Sequence, residues 1–366
     1  MVGISKKEKL KEYLQRVTVE KNKTLLELFL TSILFIFSVV YKLILIIRLY
    51  FYQLGLFPVY KSCLKVISVG NITVGGTGKT PLVAMIAEFL LERKQKVAII
   101  SRGYKAMDSE LGLVADEPLM LTKQLPEANI IISRNRKQAI IDLEKNSEDN
   151  VVILDDAFQN CAIEKTLDIV CISCLNPFGN GHIIPRGIMR LPFAYLKRAD
   201  IFVLTHCVNA DIDISKTLDV LRRYNRNALI CKTKHVPEFF YDFYSNEQQS
   251  LASIRDKKIA IVCGISQPDN FNNMLESLGA TIGLRFYFPD HYNFSIEQIK
   301  NIFSDCLAKG IFLLVTTAKD EPRLKLVLNQ EEFASFNLQI LVLKIRINLE
   351  ENEEGFAARL SSIFTA

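Results

Sequence analysis

A glycine-rich turn at residues 75–80, GGTGKT, follows a run typical of a β-strand and precedes a run typical of an α-helix. The first run, residues 64–69, is rich in β-branched side chains, and the second, residues 82–94, has apolar residues at helical spacing. Glycines allow consecutive backbone N–H groups to turn toward one point, where the start of a helix adds partial positive charge. The order of strand, loop and helix therefore predicts a phosphate-binding loop in an α/β fold with a parallel sheet.

The residues predicted to bind a nucleoside triphosphate fill this turn. Lys79 is expected to reach the β- and γ-phosphates, and the Thr80 hydroxyl is expected to ligate Mg²⁺. Thr73 stands where the usual motif has its first glycine, while the core of the motif is intact. The residues assigned to the nucleotide are Thr73, Val74, Gly75, Gly76, Thr77, Gly78, Lys79 and Thr80.

Two aspartates follow a second apolar run. Residues 151–154 are Val-Val-Ile-Leu, and Asp155 and Asp156 come directly after them. In proteins with a phosphate-binding loop, a carboxylate at the end of a buried strand holds the metal ion or one of its waters. Either aspartate fits this role by sequence, so both are candidate metal ligands.

Length and periodicity predict two α/β domains. The chain has 366 residues, whereas single hydrophobic cores seldom grow beyond about 250–300 residues. Strand-like and helix-like runs alternate over residues 61–230, which predicts a P-loop NTPase-like domain with a parallel sheet. Residues 231–250 are predicted as linking strands or a hinge. The alternation restarts at residues 258–264, so residues 251–366 are predicted as a second, smaller α/β domain with a C-terminal helix.

The first 60 residues combine a basic stretch with an apolar one. Residues 1–23 hold seven lysines and arginines, and residues 28–60 contain only Lys42 and Arg48 as charged residues. This pattern predicts a membrane-associated helix, either a tilted single span or an anchor lying in the interface. A buried core helix is the alternative. Basic residues beside an apolar segment favour the anionic cytoplasmic leaflet, and bulky aromatics in place of a cleavage site argue against secretion.

Charge and cysteine usage restrict the partners and the compartment. The formal net charge is +5 and the basic residues beyond the N-terminal stretch are dispersed, so no nucleic-acid partner is expected. No feature predicts a protein partner. Eight cysteines lie mostly in or beside apolar runs, which predicts buried thiols in a reducing cytosol. Cys171 and Cys174 have C-x-x-C spacing but no second pair, so we expect no metal there.

Further short motifs occur in a fixed order along the chain. Together with the glycine loop and the paired aspartates they read VGNITVGGTGKTP, SRGY, ADEP, ILDDAFQN, NPFGNGHIIPRG, MRLP and FPDHYNF. This set resembles the tetraacyldisaccharide 4'-kinase family, the lipid A 4'-kinases of Gram-negative bacteria, over roughly residues 24 to 330. Asn160 stands where the family usually has histidine, Ala157 where it has glycine, and Ala318 where it has glutamate.

The resemblance implies ATP- and Mg²⁺-dependent transfer of the γ-phosphoryl group to the 4'-hydroxyl of a tetraacyldisaccharide 1-phosphate. The acceptor is then a membrane-embedded glycolipid, and the enzyme is expected at the cytoplasmic face of the bacterial inner membrane, against its lipid surface. Asp116 is the candidate base, with His291 implied as its partner and Glu117 implied to assist the metal. Arg190, in a loop rich in proline and glycine, is the candidate stabiliser of phosphate charge. Because His291 and the glycine loop lie in different predicted domains, transfer is expected to need domain closure.

Other functions of phosphate-binding loops fit the sequence less well. A GTPase needs an Asn/Thr-Lys-x-Asp motif, whereas residues 317–320 are Thr-Ala-Lys-Asp. A membrane-positioning ATPase of the deviant type carries lysine where this chain has Val74. A membrane-associated ATPase without kinase function is the open alternative. Without the family motifs, the Asp-Glu-Pro turn would be a solvated helix start and the Asp-His-Tyr turn a structural one.

Overall fold

Strands and helices alternate along most of the chain, as the sequence predicts. The computed structural model describes residues 24–102, 116–207, 213–265, 267–289, 292–328 and 336–365. The strands are β1 (Lys65–Asn71), β2 (Val97–Ser101), β3 (Asn129–Ile132), β4 (Val151–Asp155), β5 (Leu167–Ser173), β6 (Ile201–Thr205), β7 (Leu229–Asp242), β8 (Gln248–Gln249), β9 (Lys258–Cys263), β10 (Thr281–Tyr287), β11 (Leu313–Thr317) and β12 (Gln339–Glu351). The α-helices are α1 (Leu25–Gln53), α2 (Lys79–Glu92), α3 (Asp116–Gln124), α4 (Arg136–Asn146), α5 (Ser215–Tyr224), α6 (Pro268–Ser277), α7 (Ile296–Ala308), α8 (Glu321–Lys325) and α9 (Glu353–Ser362).

The chain divides into two compact units, each with its own parallel strands. Unit 1 takes in Met1–Arg102, Glu127–Lys234 and Leu349–Ala366, and unit 2 takes in Gly103–Pro126 and His235–Asn348. In unit 1 the strand order is β7-β6-β5-β1-β4-β2-β3. In unit 2 it is β10-β9-β11-β12. The predicted α/β class with parallel sheets is confirmed.

Two segments lie in a different unit from the one that the predicted domain boundaries suggest. Residues 103–126, inside the predicted domain 61–230, belong to unit 2, where Lys123 of α3 pairs with Glu321 at 3.5 Å and Leu121 is buried. Residues 349–366, inside the predicted domain 251–366, belong to unit 1, where the Asn352 amide donates to the Ile230 carbonyl at 2.6 Å. Long-range side-chain contacts of this kind leave no periodic signal in the sequence.

Strand β1 lies at the centre of the unit 1 sheet, between β4 and β5. Val69 is aligned with Asp155 of β4 on one side and with Ile169 of β5 on the other. Every residue from Val66 to Asn71 is buried, as expected for a strand that is covered on both faces. Because parallel strands end at the same edge of a sheet, the glycine loop after β1 and the aspartates at the end of β4 lie side by side.

Unit 2 is held at one end by a buried carboxylate. Asp320 is fully buried, and it accepts hydrogen bonds from the Gly264 N–H at 3.0 Å, the Thr317 hydroxyl at 2.7 Å and Arg323 at 3.1 Å. These bonds join the ends of β9 and β11. Ala318, in the place of the family's glutamate, packs against the neighbouring apolar core.

Helix α1 is long, apolar and mostly exposed. Its most apolar 18-residue window has a mean hydropathy of 2.5, and only 17% of that window is buried. The predicted N-terminal helix is therefore confirmed, and its exposure is incompatible with a core helix. By length and composition it is able to cross a membrane.

One face of α1 nevertheless packs on other residues of unit 1. The Ser38 hydroxyl donates to the Ile183 carbonyl at 2.7 Å, and the Tyr195 hydroxyl donates to the Leu45 carbonyl at 3.0 Å. Leu45 and Leu49 join an apolar cluster that includes Ile183 and Tyr195. Helix α1 is thus attached to the segment of residues 183–195.

A disulfide joins the ends of two neighbouring strands, contrary to the expectation of free thiols only. Cys174 follows β5, Cys207 lies just beyond β6, and their Cα atoms are 5.3 Å apart. The C-x-x-C partner of Cys174, Cys171, is instead buried with a free thiol. The pairing follows from the adjacency of β5 and β6, which the cysteine spacing does not reveal.

A buried cluster of charges surrounds the start of β5. The Asp168 carboxylate forms an ion pair with Arg198 at 2.9 Å and lies 3.8 Å from the ammonium of Lys165. The Lys165 ammonium also donates to the Asn160 carbonyl. Burial, opposed by the charge of Asp168, lowers the pKa of Lys165 from 10.5 to about 8.

The shifted pKa predicts a pH-dependent stability. Between pH 8 and pH 10.5 the unfolded chain binds a proton at Lys165 that the folded chain does not, so stability rises with pH over this window. We expect the free energy of unfolding of the wild type to gain up to roughly 3 kcal/mol relative to Lys165→Met as the pH increases. Denaturant unfolding of both proteins across this range measures the difference. A constant difference would contradict a lowered pKa.

Candidate active site

The glycine loop is shaped by backbone conformations that other residues rarely adopt. Gly75 has φ +115° and Gly78 has φ +78°, both in the left-handed region that favours glycine. Gly78 is also the N-cap of α2, whose first two residues are Lys79 and Thr80. The loop therefore delivers these two side chains to the mouth of a helix, where anions bind.

A second segment runs along the entrance of the loop and fixes Arg190 beside it. The Val74 N–H donates to the Ile188 carbonyl at 2.7 Å, and the Arg190 N–H donates to the Ile72 carbonyl at 2.7 Å. Thr73 and Met189 form an antiparallel bridge between these bonds. Backbone pairing over more than a hundred residues of sequence thus places Arg190 at the site.

The carboxylate of Asp156 lies between two cations. Arg190 donates to both of its oxygens, at 2.9 and 3.0 Å from Nη1 and at 3.0 Å from Nη2. The Lys79 ammonium lies 3.6 Å from Asp156 Oδ1. Asp156 has φ +49°, in the left-handed region, which aspartate tolerates better than most residues. The site thus holds two cations and one carboxylate beside the loop.

Asp155 faces a different environment. Its side chain is buried, and the Ser101 hydroxyl at the end of β2 donates to it at 3.4 Å. Arg136, at the start of α4, is also buried and donates to the backbone carbonyls of Asp155 at 2.6 Å and Asp156 at 3.1 Å. Burial lowers the pKa of the Arg136 guanidinium, against the opposing charges of Asp156 and Asp155. Arg136 was not predicted, because nothing in its local sequence points to the aspartates.

The glycine before the loop allows a close approach of the chain that follows the aspartates. A Cβ on Gly70 would lie 2.6 Å from Phe158 Cβ and 2.7 Å from the Phe158 nitrogen. The Ala157 N–H donates to the Val69 carbonyl at 3.2 Å, so residues 157 and 158 lie directly against β1. In the same turn, Asn160 accepts the Ala162 N–H at 3.1 Å, a local role for the residue that replaces the family's histidine.

Two hydrogen bonds from strand residues to Thr77 also hold the loop in place. The Asn71 amide donates to the Thr77 hydroxyl at 2.9 Å, and the Thr205 hydroxyl donates to the Thr77 carbonyl at 2.9 Å. Asn71 accepts a longer bond of 3.4 Å from Arg190. Sequence reasoning missed both Asn71 and Thr205, which end strands β1 and β6.

Unit 1 contains the predicted nucleotide residues and three of the four predicted metal residues, Thr80, Asp155 and Asp156. Lys79 and Arg190 both pair with Asp156, and residues 73–80 form the loop beside them. Asp116 and Glu117 are the first two residues of α3, which belongs to unit 2. His291 lies outside the described residues, as do Gly103 and Tyr104 of the SRGY motif.

The donor set beside the loop fits Mg²⁺ and a polyphosphate. Mg²⁺ prefers oxygen ligands and usually binds through one or two carboxylates together with phosphate oxygens. Asp155, Asp156 and the Thr80 hydroxyl offer such oxygens at the end of the loop. Within the described part of the chain, no cluster of three His, Cys, Asp or Glu side chains could hold a metal alone.

Comparison with known proteins identifies one family. The family model described as tetraacyldisaccharide-1-P 4'-kinase matches residues 30–365. The tetraacyldisaccharide 4'-kinase of Anaeromyxobacter sp. (strain K) is 34% identical over 75% of this chain and 76% of its own length. The tetraacyldisaccharide 4'-kinase of Halothermothrix orenii is 30% identical over 94% of this chain and 96% of its own.

A solved structure shares the fold. The crystal structure of LpxK from Aquifex aeolicus in complex with ATP superimposes with a TM-score of 0.71 at 24% sequence identity. The similarity covers 92% of this chain and 99% of that one. The arrangement of strands and helices described above is therefore one already seen in a crystal structure.

The contact between Gly70 and Phe158 can be tested by adding one methyl group. Gly70→Ala should lower the free energy of unfolding by about 2–3 kcal/mol, because the new Cβ meets backbone as well as side-chain atoms. Ser68→Ala in the same strand is the control. Its buried hydroxyl has no hydrogen-bond partner among the described residues, so its loss should be nearly neutral. Chemical denaturation compares the two, and equal stabilities would show that the contact is unimportant.

Proposed function

The chain belongs to the tetraacyldisaccharide-1-P 4'-kinase family, and we propose that the groups around Lys79, Asp156 and Arg190 carry out its phosphoryl transfer. The donor is ATP with Mg²⁺, and the acceptor is the 4'-hydroxyl of a tetraacyldisaccharide 1-phosphate. The observation that carries this assignment is the position of Asp156. Arg190 donates hydrogen bonds to both of its carboxylate oxygens, and the Lys79 ammonium lies 3.6 Å away. Two cations and a carboxylate beside a glycine loop are among the parts that phosphoryl transfer requires.

The loop binds and orients the phosphates in this proposal. Backbone N–H groups of residues 75–80 surround the polyphosphate, and the start of α2 adds its partial positive charge. Lys79 neutralises charge on the β- and γ-phosphates, and Thr80, Asp155 and Asp156 hold the metal or its waters. When bound, Mg²⁺ would supply neutralisation of phosphate charge.

Arg190 stabilises the charge that develops on the transferred group. A guanidinium fork fits phosphate oxygens as well as it fits a carboxylate, because both offer two oxygens in one plane. Asp156 and the backbone pairing of Arg190 with Ile72 keep that fork beside the loop. The charge-stabilising group is thus already in place before the phosphates arrive, which is the arrangement that costs least reorganisation.

The acceptor hydroxyl needs a base, and Asp116 is proposed for this role. The family resemblance assigns His291 as its partner and Glu117 as an assistant to the metal. In support, the segment that begins with Asp116 belongs to the same compact unit as the residues on both sides of His291. Helix α3 is fastened within that unit by the pair Lys123–Glu321, while Tyr241 donates to Glu321 at 2.7 Å.

The N-terminal helix is proposed to bring the site to its lipid substrate. A tetraacylated acceptor stays in the bilayer, so we place the enzyme at the cytoplasmic face of the inner membrane with α1 in contact with lipid. The exposed apolar surface of α1 supports this proposal, as does its docking on Ile183 and Tyr195. Arg190 lies between these two positions in the chain. The segment on which α1 docks therefore also carries the arginine proposed to bind phosphate.

Removal of the loop lysine tests the nucleotide role. Lys79→Ala should slow transfer of labelled phosphate from ATP to the tetraacyl disaccharide by about 100- to 1,000-fold, because one preorganised charge is lost. Lys145→Ala, an exposed lysine of α4, is the matched control and should behave as wild type. A wild-type rate for Lys79→Ala would contradict the role of the loop. ATP hydrolysis by the intact protein without labelled lipid would instead favour the non-kinase ATPase.

Replacement of the proposed base should separate chemistry from binding. Asp116→Ala should retain nearly unchanged affinity for ATP while kcat falls by about 100- to 10,000-fold. If Asp116 and His291 act as one unit, the double variant should be little slower than either single variant. Glu127→Ala, an exposed acid nearby in sequence, serves as control. Transfer assays in mixed micelles measure kcat, and full additivity of the two substitutions would contradict their pairing.

A further inference from the structure

We propose that Thr205 is a positioning residue that orients one peptide of the phosphate loop, the peptide between Thr77 and Gly78. The inference rests on the proposed function of the loop as the binding site for the phosphates of ATP. Thr205 does not touch the phosphates in this proposal. Its hydroxyl holds the Thr77 carbonyl, and the N–H of Gly78 is turned toward the phosphates as a result.

Thr205 contacts the loop through both branches of its side chain. It is the last residue of β6 and is fully buried. Its hydroxyl donates to the Thr77 carbonyl at 2.9 Å, 128 residues away in the sequence. A Cβ placed on Gly78 would lie 3.3 Å from the Thr205 methyl group, so the methyl packs directly against that glycine.

Planarity of the peptide bond turns this contact into control of a donor. In a trans peptide the C=O and the following N–H lie in one plane and point in opposite directions. If the Thr77 carbonyl is directed down toward Thr205, the Gly78 N–H is directed away from the sheet, to the open side of the loop. Fixing this donor before the nucleotide arrives removes an entropic cost of binding.

The hydrogen bonds available to Thr205 favour this role over a purely structural one. Its contacts with neighbours on the sheet are longer, 3.5 Å to the Ile172 carbonyl and 3.3 Å to His206 Nδ1. The shortest bond of the hydroxyl thus leaves the sheet and goes to the loop. A hydroxyl that only had to be satisfied in a buried strand could have used the nearest carbonyl of that strand.

Asn71 restrains the side chain of the same loop residue. Its Nδ2 donates to the Thr77 hydroxyl at 2.9 Å, and its Oδ1 accepts from Arg190 at 3.4 Å. Because arginine has only donors, the Asn71 side-chain oxygen must face Arg190, which leaves the Asn71 side-chain nitrogen to face Thr77. Thr77 is therefore held at its hydroxyl by Asn71 and at its carbonyl by Thr205, and neither the side chain nor the peptide is free to rotate.

The test compares two substitutions at Thr205 with a matched control. Thr205→Val keeps the shape and the methyl contact but deletes the hydroxyl, whereas Thr205→Ser keeps the hydroxyl. Thr233→Val is the control, since Thr233 is buried and donates to the Leu204 carbonyl at 3.1 Å without contacting the loop. The Thr233→Val substitution removes a buried hydrogen bond of the same kind, made to Leu204, the residue before Thr205.

The readout is the Kd of Mg·ATP for the full chain in detergent, measured by calorimetry, with the Tm of each variant recorded alongside. We expect Thr205→Val to raise this Kd about five- to tenfold, the effect of one lost hydrogen bond. Thr205→Ser and Thr233→Val should stay within about twofold of the wild type, and the KM for the lipid acceptor should be unchanged.

Three outcomes overturn the inference. The first is a Thr205→Val protein that binds Mg·ATP as tightly as the wild type, even if its Tm falls. The second is an equal loss of affinity in Thr233→Val, which would assign the effect to general loosening of the sheet. The third is a loss in a folded Thr205→Ser protein, which decides the matter if Thr205→Val does not fold. Absence of Mg·ATP binding by the wild type would in addition refute the proposed function of the loop.

Discussion

Parallel pairing of β1 with β4 is the constraint on which the site depends. With Val69 aligned to Asp155, the glycine loop and the two aspartates leave the sheet at the same height and one strand apart. Gly70 makes this possible at close range, because Phe158 occupies the space that any other side chain would need. The site is therefore specified by strand register and by one missing methyl group before any catalytic side chain is considered.

The negative charge of Asp156 explains how Lys79 and Arg190 can lie close together beside the loop. Lys79 and Arg190 would repel each other if they faced an empty pocket, but a carboxylate between them offsets the repulsion. Asp156 is in turn held through its backbone, since Arg136 and Gln159 donate to its carbonyl at 3.1 and 2.9 Å. The site is thus built from a few side chains whose orientations are fixed by their neighbours rather than by the substrate.

The sequence was most informative where chemistry is local. The loop, its strand and helix, and the aspartates after β4 could all be predicted because each is a short motif with its own context. Arg136, Asn71 and Thr205 could not, since their partners are 6 to 128 residues away and common residue types make these contacts. The same holds for Cys174 and Cys207, which are joined only because β5 and β6 are neighbours. Most of the contacts that could not be predicted depend on which strands are neighbours in the sheet, and sequence periodicity does not encode the order of strands.

Helix α1 has its partners far along the chain, and this separation has a consequence for biosynthesis. The contacts of Ser38 with Ile183 and of Leu45 with Tyr195 span 145 and 150 residues. At about 5–20 residues per second, a ribosome needs roughly 7–30 seconds to make that length. During this interval the apolar helix has emerged while its docking surface does not yet exist. Translation order thus leaves the apolar surface of α1 uncovered for these seconds, before residues 183–195 are available to pack against one of its faces.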